Sequence, residues 1–236
     1  MLDGVSKRFR GVQAVDGVSL QLGEGEVVGL IGPNGSGKTT LLNLASGVLR
    51  PSGGRVAVGE RQATDLPPHR FARLGVARTF QQIRLFAGMT VEENVLVGGL
   101  AKGVAPDVGG LLRDLGLEGD AERDATTLSY GQQRRVEIAR ALAGAPRFLL
   151  LDEPAAGMNE AESDELLTAV RRIREERGCA VLIVDHDLRL IMRLCDRIHA
   201  VAEGRTIGTG TPEQIGRNEA VIQAYLGTAN DQERQL

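Results

Sequence analysis

Gly32-Pro33-Asn34-Gly35-Ser36-Gly37-Lys38-Thr39 has the spacing G-x-x-x-x-G-K-S/T, and its flanks suit the chemistry that spacing performs. Glycines let backbone N–H groups approach an anion closely, and a following helix N-terminus adds a favourable dipole. Lys38 is placed to reach the β- and γ-phosphates of a nucleoside triphosphate, the Thr39 hydroxyl to ligate Mg²⁺, and Thr40 follows directly. A glycine-rich turn with a surface lysine is the bland alternative. Against it stand the apolar run Glu26–Ile31 before the loop, which reads as a buried strand, and Thr39–Ser46 after it, which reads as a helix ending at Gly47. By itself the stretch means triphosphate binding and leaves open what the energy is for.

Acids with matching chemistry come later. Hydrolysis at such a loop needs a carboxylate to orient Mg²⁺ and a group to activate or position water. Phe148-Leu149-Leu150-Leu151 is an apolar run ending in Asp152, the place for the Mg²⁺-orienting carboxylate, and Glu153 next to it can face the γ-phosphate as general base. Ser129-Tyr130-Gly131-Gln132 opens a helix with an S-x-x-Q box. From spacing alone, an anion site and an ordinary helix cap are equally good readings of it.

These residues need a scaffold. A chain of 236 residues accommodates one large α/β domain with a small insertion. The formal charge of −3 argues against nucleic acid as a partner. No run is long and apolar enough to span a bilayer, and the N-terminus lacks the apolar core of a signal peptide. Cys179 and Cys195 have no metal-ligand or redox spacing, so reduced, buried thiols are expected.

Strands are expected over 5–22, where Val18–Leu22 alternates, and over Arg55–Val58. A short helix over Pro67–Leu74 and a strand over Gly75–Phe80 lead to Gln81. Thr90-Val91-Glu92-Glu93 is a capping box opening a helix to Leu100, with another helix near Leu111–Leu115. Past Asp152, Asn159 with Glu162 caps a helix to Arg177 whose arginines 171, 172, 174 and 177 read as a solvated face. Ala180–Val184 is a strand closed by Asp185-His186-Asp187. A helix over Leu188–Leu194, strands around Glu203-Gly204-Arg205 and a final helical region from Thr211-Pro212 follow. Residues 228–236 read as a frayed polar tail.

Leu128-Ser129-Tyr130-Gly131-Gln132 resembles the signature of the ATP-binding-cassette (ABC) family, with Tyr130 replacing a glycine. Phe148–Glu153 resembles its Walker B segment, Gln81 its Q-loop glutamine, Asn159 a D-loop position and His186 its switch histidine. Phe9 lies where the family stacks an aromatic ring on adenine. The motifs occur in family order over nearly the whole chain. The resemblance implies a P-loop NTPase (RecA-like) α/β core with an antiparallel β subdomain, over 1–81 and 145–227, and a small inserted α-helical subdomain over about 82–144. The first strand begins almost at Met1, which suggests a clipped or minimal edge.

It also implies roles. Phe9 and residues Gly32, Pro33, Asn34, Gly35, Ser36, Gly37, Lys38, Thr39 and Thr40 bind ATP. Thr39, Gln81 and Asp152 serve Mg²⁺, while Glu153, His186 and Gln81 are catalytic. Ser129, Tyr130, Gly131 and Gln132 cap the ATP of a second cassette, so each chain holds half of two composite sites. Asn159 stands where many relatives carry Asp. The other two histidines, His69 and His199, read as ordinary loop residues.

Within the family, Ala77–Phe86, Met89–Asn94, Tyr130–Arg140, Asp152–Asn159 and Val221–Gly227 resemble the ATP-binding subunits of bacterial branched-chain amino-acid importers. The implied partners are a second ATPase subunit, identical or not, transmembrane permease subunits, and indirectly a periplasmic substrate-binding protein. The implied place is peripheral, on the cytoplasmic face of the bacterial inner membrane. A GTPase would carry N-K-x-D, which is lacking, and a small kinase has no use for Leu128–Gln132. A non-transport ABC ATPase usually has paired cassettes or a long coiled-coil insertion, and this chain has neither.

Overall fold

The computed structural model describes residues 1–100, 102–103 and 105–233. β1 (Leu2–Phe9) and β2 (Val12–Leu20) form an antiparallel hairpin, and β3 (Val27–Ile31) leads into α1 (Lys38–Ala45). β4 (Gly53–Val58), β5 (Arg61–Gln62), α2 (Pro68–Arg73) and β6 (Val76–Arg78) follow. Then come α3 (Val91–Leu100), α4 (Val108–Asp114) and α5 (Tyr130–Leu142). β7 (Phe148–Asp152), α6 (Glu160–Arg177), β8 (Ala180–Val184) and α7 (Leu188–Leu194) alternate strand and helix. The hairpin of β9 (Arg197–Ala202) and β10 (Arg205–Gly210) precedes α8 (Pro212–Gly216) and α9 (Glu219–Glu233).

The central sheet has the order β10-β9-β3-β8-β7-β6, parallel except for β10. Strands buried on both faces read as continuous apolar runs. VVGLI of β3 and AVLIV of β8 accordingly have every residue buried. Alternate residues serve opposite faces. Val27, Ile31, Leu149, Leu151, Val181 and Ile183 join the core under α3–α7. Val28, Leu30, Leu150, Leu182 and Val184 join the core formed with α1, α2 and the second sheet, β2-β1-β4-β5. Gly29 faces α7: a Cβ there would stand 2.7 Å from Ile191 Cγ2 and 3.0 Å from Cys195 Sγ, so the helix packs against bare backbone.

Parallel strands bring their carboxyl ends to one edge, where ligand crevices of α/β sheets form. The segments after β3, β8, β7 and β6 therefore lie side by side: Gly32–Gly37, Asp185–Asp187, Glu153 and Thr79–Gln81. Sequence positions far apart thus converge.

The structure departs from the sequence reading in three places. α9 continues to Glu233, through most of the stretch read as a frayed tail, and 234–236 lie outside the described residues. The arginines of α6 are not simply solvated. Arg171 donates to Arg193 O, Arg174 to Gly25 O and pairs with Asp196, and Arg177 pairs with Asp114. His199 is buried in the middle of β9, where its ring nitrogens meet Thr206 Oγ1 at 2.9 Å and Thr209 Oγ1 at 3.1 Å.

Candidate active site

The loop between β3 and α1 is built to receive an anion. Gly35 and Gly37 take φ of 76° and 103°, the left-handed region that glycine enters without strain. A Cβ on Gly37 would also lie 2.7 Å from Ala14 O, so β2 runs directly against the loop. From the other side Gly204 N donates to Ser36 O at 3.0 Å, and α9 adds a hydrogen bond between Tyr225 and the Gly32 backbone. Among the described residues no side chain caps the N-terminus of α1, so its first N–H groups have no side-chain partner there. Ser36 Oγ is buried with no hydrogen-bond partner among the described residues, an orphan that a phosphate oxygen would satisfy.

Lys38 donates to Gly32 O at 2.6 Å and Pro33 O at 2.9 Å, which folds its amine over the loop. Burial pushes its pKa down, and the nearby charges of Glu153 and Asp152 act in the opposite direction. The residues present thus fit a nucleoside triphosphate. For Mg²⁺ the chain offers the Thr39 hydroxyl and the Asp152 carboxylate. Among the described residues no cluster of three or more His, Cys, Asp and Glu could hold a metal alone. A donor set this small fits Mg²⁺, which keeps several waters and takes substrate phosphates as ligands.

Glu153 follows β7 with φ 49°, a positive value for a non-glycine residue. Its amide donates to Val184 O at 2.8 Å, which locks the turn to β8. The carboxylate is held at both ends: Gln81 Nε2 donates to Oε2 at 2.9 Å, and His186 Nε2 lies 2.8 Å from Oε1. Three residues from three strand ends meet here. The His186 side chain is 55% exposed while that of Glu153 is 12% exposed, so the histidine faces outward over a sheltered acid.

Asp185 fixes this arrangement, and sequence reasoning missed it. Its carboxylate accepts from Ala155 N at 3.1 Å and Asp187 N at 3.0 Å, tying the turn after Glu153 to the loop carrying His186. Burial pushes its pKa up, partly offset by those backbone donors. Also missed was Arg134, which is wholly buried on α5. It donates to Phe80 O and Gln81 O and pairs with Glu137 at 2.7 Å, so α5 grips the backbone at the glutamine. No local spacing announced its grip on the loop, since Phe80 and Gln81 are 54 and 53 positions away.

Ser129, Tyr130, Gly131 and Gln132 open α5. No hydrogen bond joins them to residues 32–40 among the described residues. Ser129 and Gln132 form the reciprocal capping box, and Tyr130 is exposed. Asn159 also spends its side chain on a capping box, at the start of α6. The two segments touch within the chain. A Cβ on Gly131 would lie 2.9 Å from Glu162 Oε1, and one on Gly157 3.3 Å from the Tyr130 ring. Phe9 is 41% exposed at the tip of the β1–β2 hairpin, with Lys7 Nζ 5.3 Å from its ring centroid. Gln81 points its amide at Glu153, and Asp152 Oδ2 accepts from Arg78 at 2.9 Å.

Comparison with known proteins agrees with this architecture. The family model for ABC transporters matches residues 15–156, and that for the branched-chain amino acid ATP-binding cassette transporter matches 205–231. The chain is 43% identical to the high-affinity branched-chain amino acid transport ATP-binding protein LivG of Salmonella typhimurium, over 97% of each chain. It superposes on the ADP conformation of MJ1267, an ATP-binding cassette of an ABC transporter, with a TM-score of 0.87 at 30% identity, covering 96% of this chain and 97% of that one. It superposes on the dimeric structure of MJ0796, a bacterial ABC transporter cassette, with a TM-score of 0.80 at 29% identity, covering 89% and 97%. A glycine-rich loop at the end of β3, an acid gripped by glutamine and histidine, and these matches have one common meaning: the chain belongs to the ABC transporter family, as one of its ATP-binding subunits.

Proposed function

We propose that this chain hydrolyses ATP to drive an importer of branched-chain amino acids. The observation that carries the reading is the Glu153 carboxylate, held by Gln81 and His186 at the sheet edge where the Gly32–Thr39 loop begins. Glu153 accepts the proton of the attacking water, and Gln81 and His186 hold the carboxylate in place for it. Lys38 and the amides of 32–39, with Thr40, take the phosphates, and Phe9 stacks on adenine. Thr39 and Asp152, with Gln81 close by, would hold Mg²⁺, which neutralises charge on the phosphates when bound. His186 senses the γ-phosphate from its own chain. Ser129 and Gly131, with Tyr130 and Gln132 around them and Asn159 on the adjoining loop, serve the ATP of a second cassette.

The branched-chain assignment is supported by the likeness to LivG and by the match over 205–231. No helix among the described residues is long and apolar enough to cross a membrane. As for the ATP-binding proteins it resembles, transport is exerted through permease subunits. In this reading they dock at the groove lined by Phe80, Arg84, Phe86, Val97 and Arg140, and the chain works peripherally at the cytoplasmic face of the inner membrane. A periplasmic binding protein delivers the substrate from the far side.

The test is Glu153→Gln in the complex purified with its permease subunits. ATP turnover should fall about 10²- to 10⁴-fold with ATP binding retained, and leucine with its binding protein should stimulate the unsubstituted complex. Turnover by Glu153→Gln at the unsubstituted rate refutes the assignment of the base. Stimulation by no branched-chain amino acid refutes the substrate.

A further inference from the structure

Arg78 is the last residue of β6, paired in register with Leu150 of β7. Its guanidinium is buried, 7% exposed, and makes a three-way fork. Nη1 donates to Asn43 Oδ1 at 2.6 Å and Ser46 Oγ at 3.0 Å, and Nη2 to Asp152 Oδ2 at 2.9 Å. Asn43 lies on α1 and Ser46 caps its end, so the arginine is anchored to the helix that begins with Lys38 and Thr39. The Asp152 side chain is 4% exposed, and among the described residues Arg78 is the only cation within ion-pair distance of it. The opposite flank of Arg78 meets the Phe80 ring, 5.2 Å from its centroid.

Resting on the reading of Asp152 and Thr39 as Mg²⁺ donors, we propose that Arg78 is a positioning residue for the divalent ion. It is the built-in counter-cation of Asp152 and sets how strongly the site takes the metal. Two physical arguments lead there. First, the two donors sit on different elements, Thr39 on α1 and Asp152 on β7, and the fork is the polar bridge between those elements. Second, a full positive charge beside a buried carboxylate offsets the charge that attracts a cation. Removing it leaves the buried acid with only the more distant Lys38 charge as compensation, a costly state that a divalent ion relieves. Arg78 therefore weakens metal binding while orienting the carboxylate. Its loss should separate affinity from turnover in opposite directions, whereas a merely structural residue weakens both.

The experiment compares the full chain with Arg78→Gln and Arg78→Lys. Mn²⁺ affinity is read by electron paramagnetic resonance at saturating ADP, ADP affinity is read in EDTA, and thermal midpoints are read with and without Mn²⁺. In Arg78→Gln, Mn²⁺ should bind about tenfold tighter. Its thermal midpoint should fall without metal and regain more than the unsubstituted chain does when Mn²⁺ and ADP are added. Its ATP turnover should drop and its ADP affinity in EDTA should stay within about twofold. Arg78→Lys keeps the charge and should hold Mn²⁺ affinity within about twofold. If Arg78→Gln fails to fold, Asn43→Ala loosens the fork and should tighten Mn²⁺ about threefold. Unchanged or weaker Mn²⁺ binding in the folded variant overturns the inference, as does a parallel loss of ADP affinity in EDTA. Failure of the unsubstituted chain to bind Mn²⁺ with ADP refutes the nucleotide-site reading itself.

Discussion

Replacing Arg134 with methionine tests how α5 holds the glutamine loop. The guanidinium is wholly buried, donates to the carbonyls of Phe80 and Gln81, and pairs with a Glu137 that is itself 2% exposed. Breaking one side of a buried pair costs about 3–5 kcal/mol, because the remaining charge stays desolvated. In a chain of 236 residues that is a fall in thermal midpoint of about 10 °C. Arg140, whose Nη2 lies 3.9 Å from Glu137 Oε1, compensates only part of that charge. The double variant Arg134→Met with Glu137→Met removes both charges and should recover about 1–4 kcal/mol. Neither variant restores the grip on Phe80 and Gln81, so ATP turnover should stay about 10- to 100-fold down in both. The loss in the single variant should also shrink in acid. Burial already pushes the Glu137 pKa up, against the pull of Arg134 and Arg140, and without Arg134 it rises further. A carboxyl whose folded pKa exceeds its unfolded one binds more protons when folded between the two values, so stability rises as pH falls through the folded pKa and levels off below the unfolded one. Urea unfolding followed by circular dichroism between neutral pH and pH about 5, beside steady-state turnover, supplies the readings. A loss under about 1 kcal/mol, or a double variant no more stable than the single one, refutes the reasoning.

Other outcomes follow from single residues. Burial lowers the His199 pKa from 6.5 to about 4, helped by Arg197. The neutral ring contributes up to about 3 kcal/mol, fully present above pH 6.5 and lost as pH falls through about 4; His199→Gln should flatten that limb of the stability–pH curve. Gly29→Ala puts a methyl against Ile191 and Cys195 and should cost about 1–3 kcal/mol in urea unfolding, with nucleotide binding retained.

Much of the sheet edge around Glu153 was legible because the signals are local. The loop Gly32–Thr39 carries its own spacing, the runs VVGLI, FLLLD and AVLIV announce buried parallel strands, and Glu153 and His186 sit directly past such strands. The capping boxes at Thr90, Ser129 and Asn159 form as their i, i+3 spacing requires, and Thr211, read only as the start of a helical region, also forms one with Gln214. Each of these depends on residues within one turn or one strand, where chain geometry leaves few alternatives. Both cysteines are buried and free, and burial pushes their thiols up to about 12.

The polar ties across the molecule were not legible. Arg78 meets Asp152 across 74 positions, Arg134 meets Gln81 across 53, and Arg174 meets Gly25 across 149. An arginine reads alike in sequence whether it is solvated or forks into a core, because its surroundings come from sheet order and helix packing. His199 looked like a loop residue since nothing nearby shows that Thr206 and Thr209 return beside it on β10. Local spacing in the sequence was therefore enough to find the glycine-rich loop, the acids and histidine past the strands, and the strands that hold them. Tertiary structure decided which charges face one another at that edge, because strand order places side chains that chain spacing cannot relate.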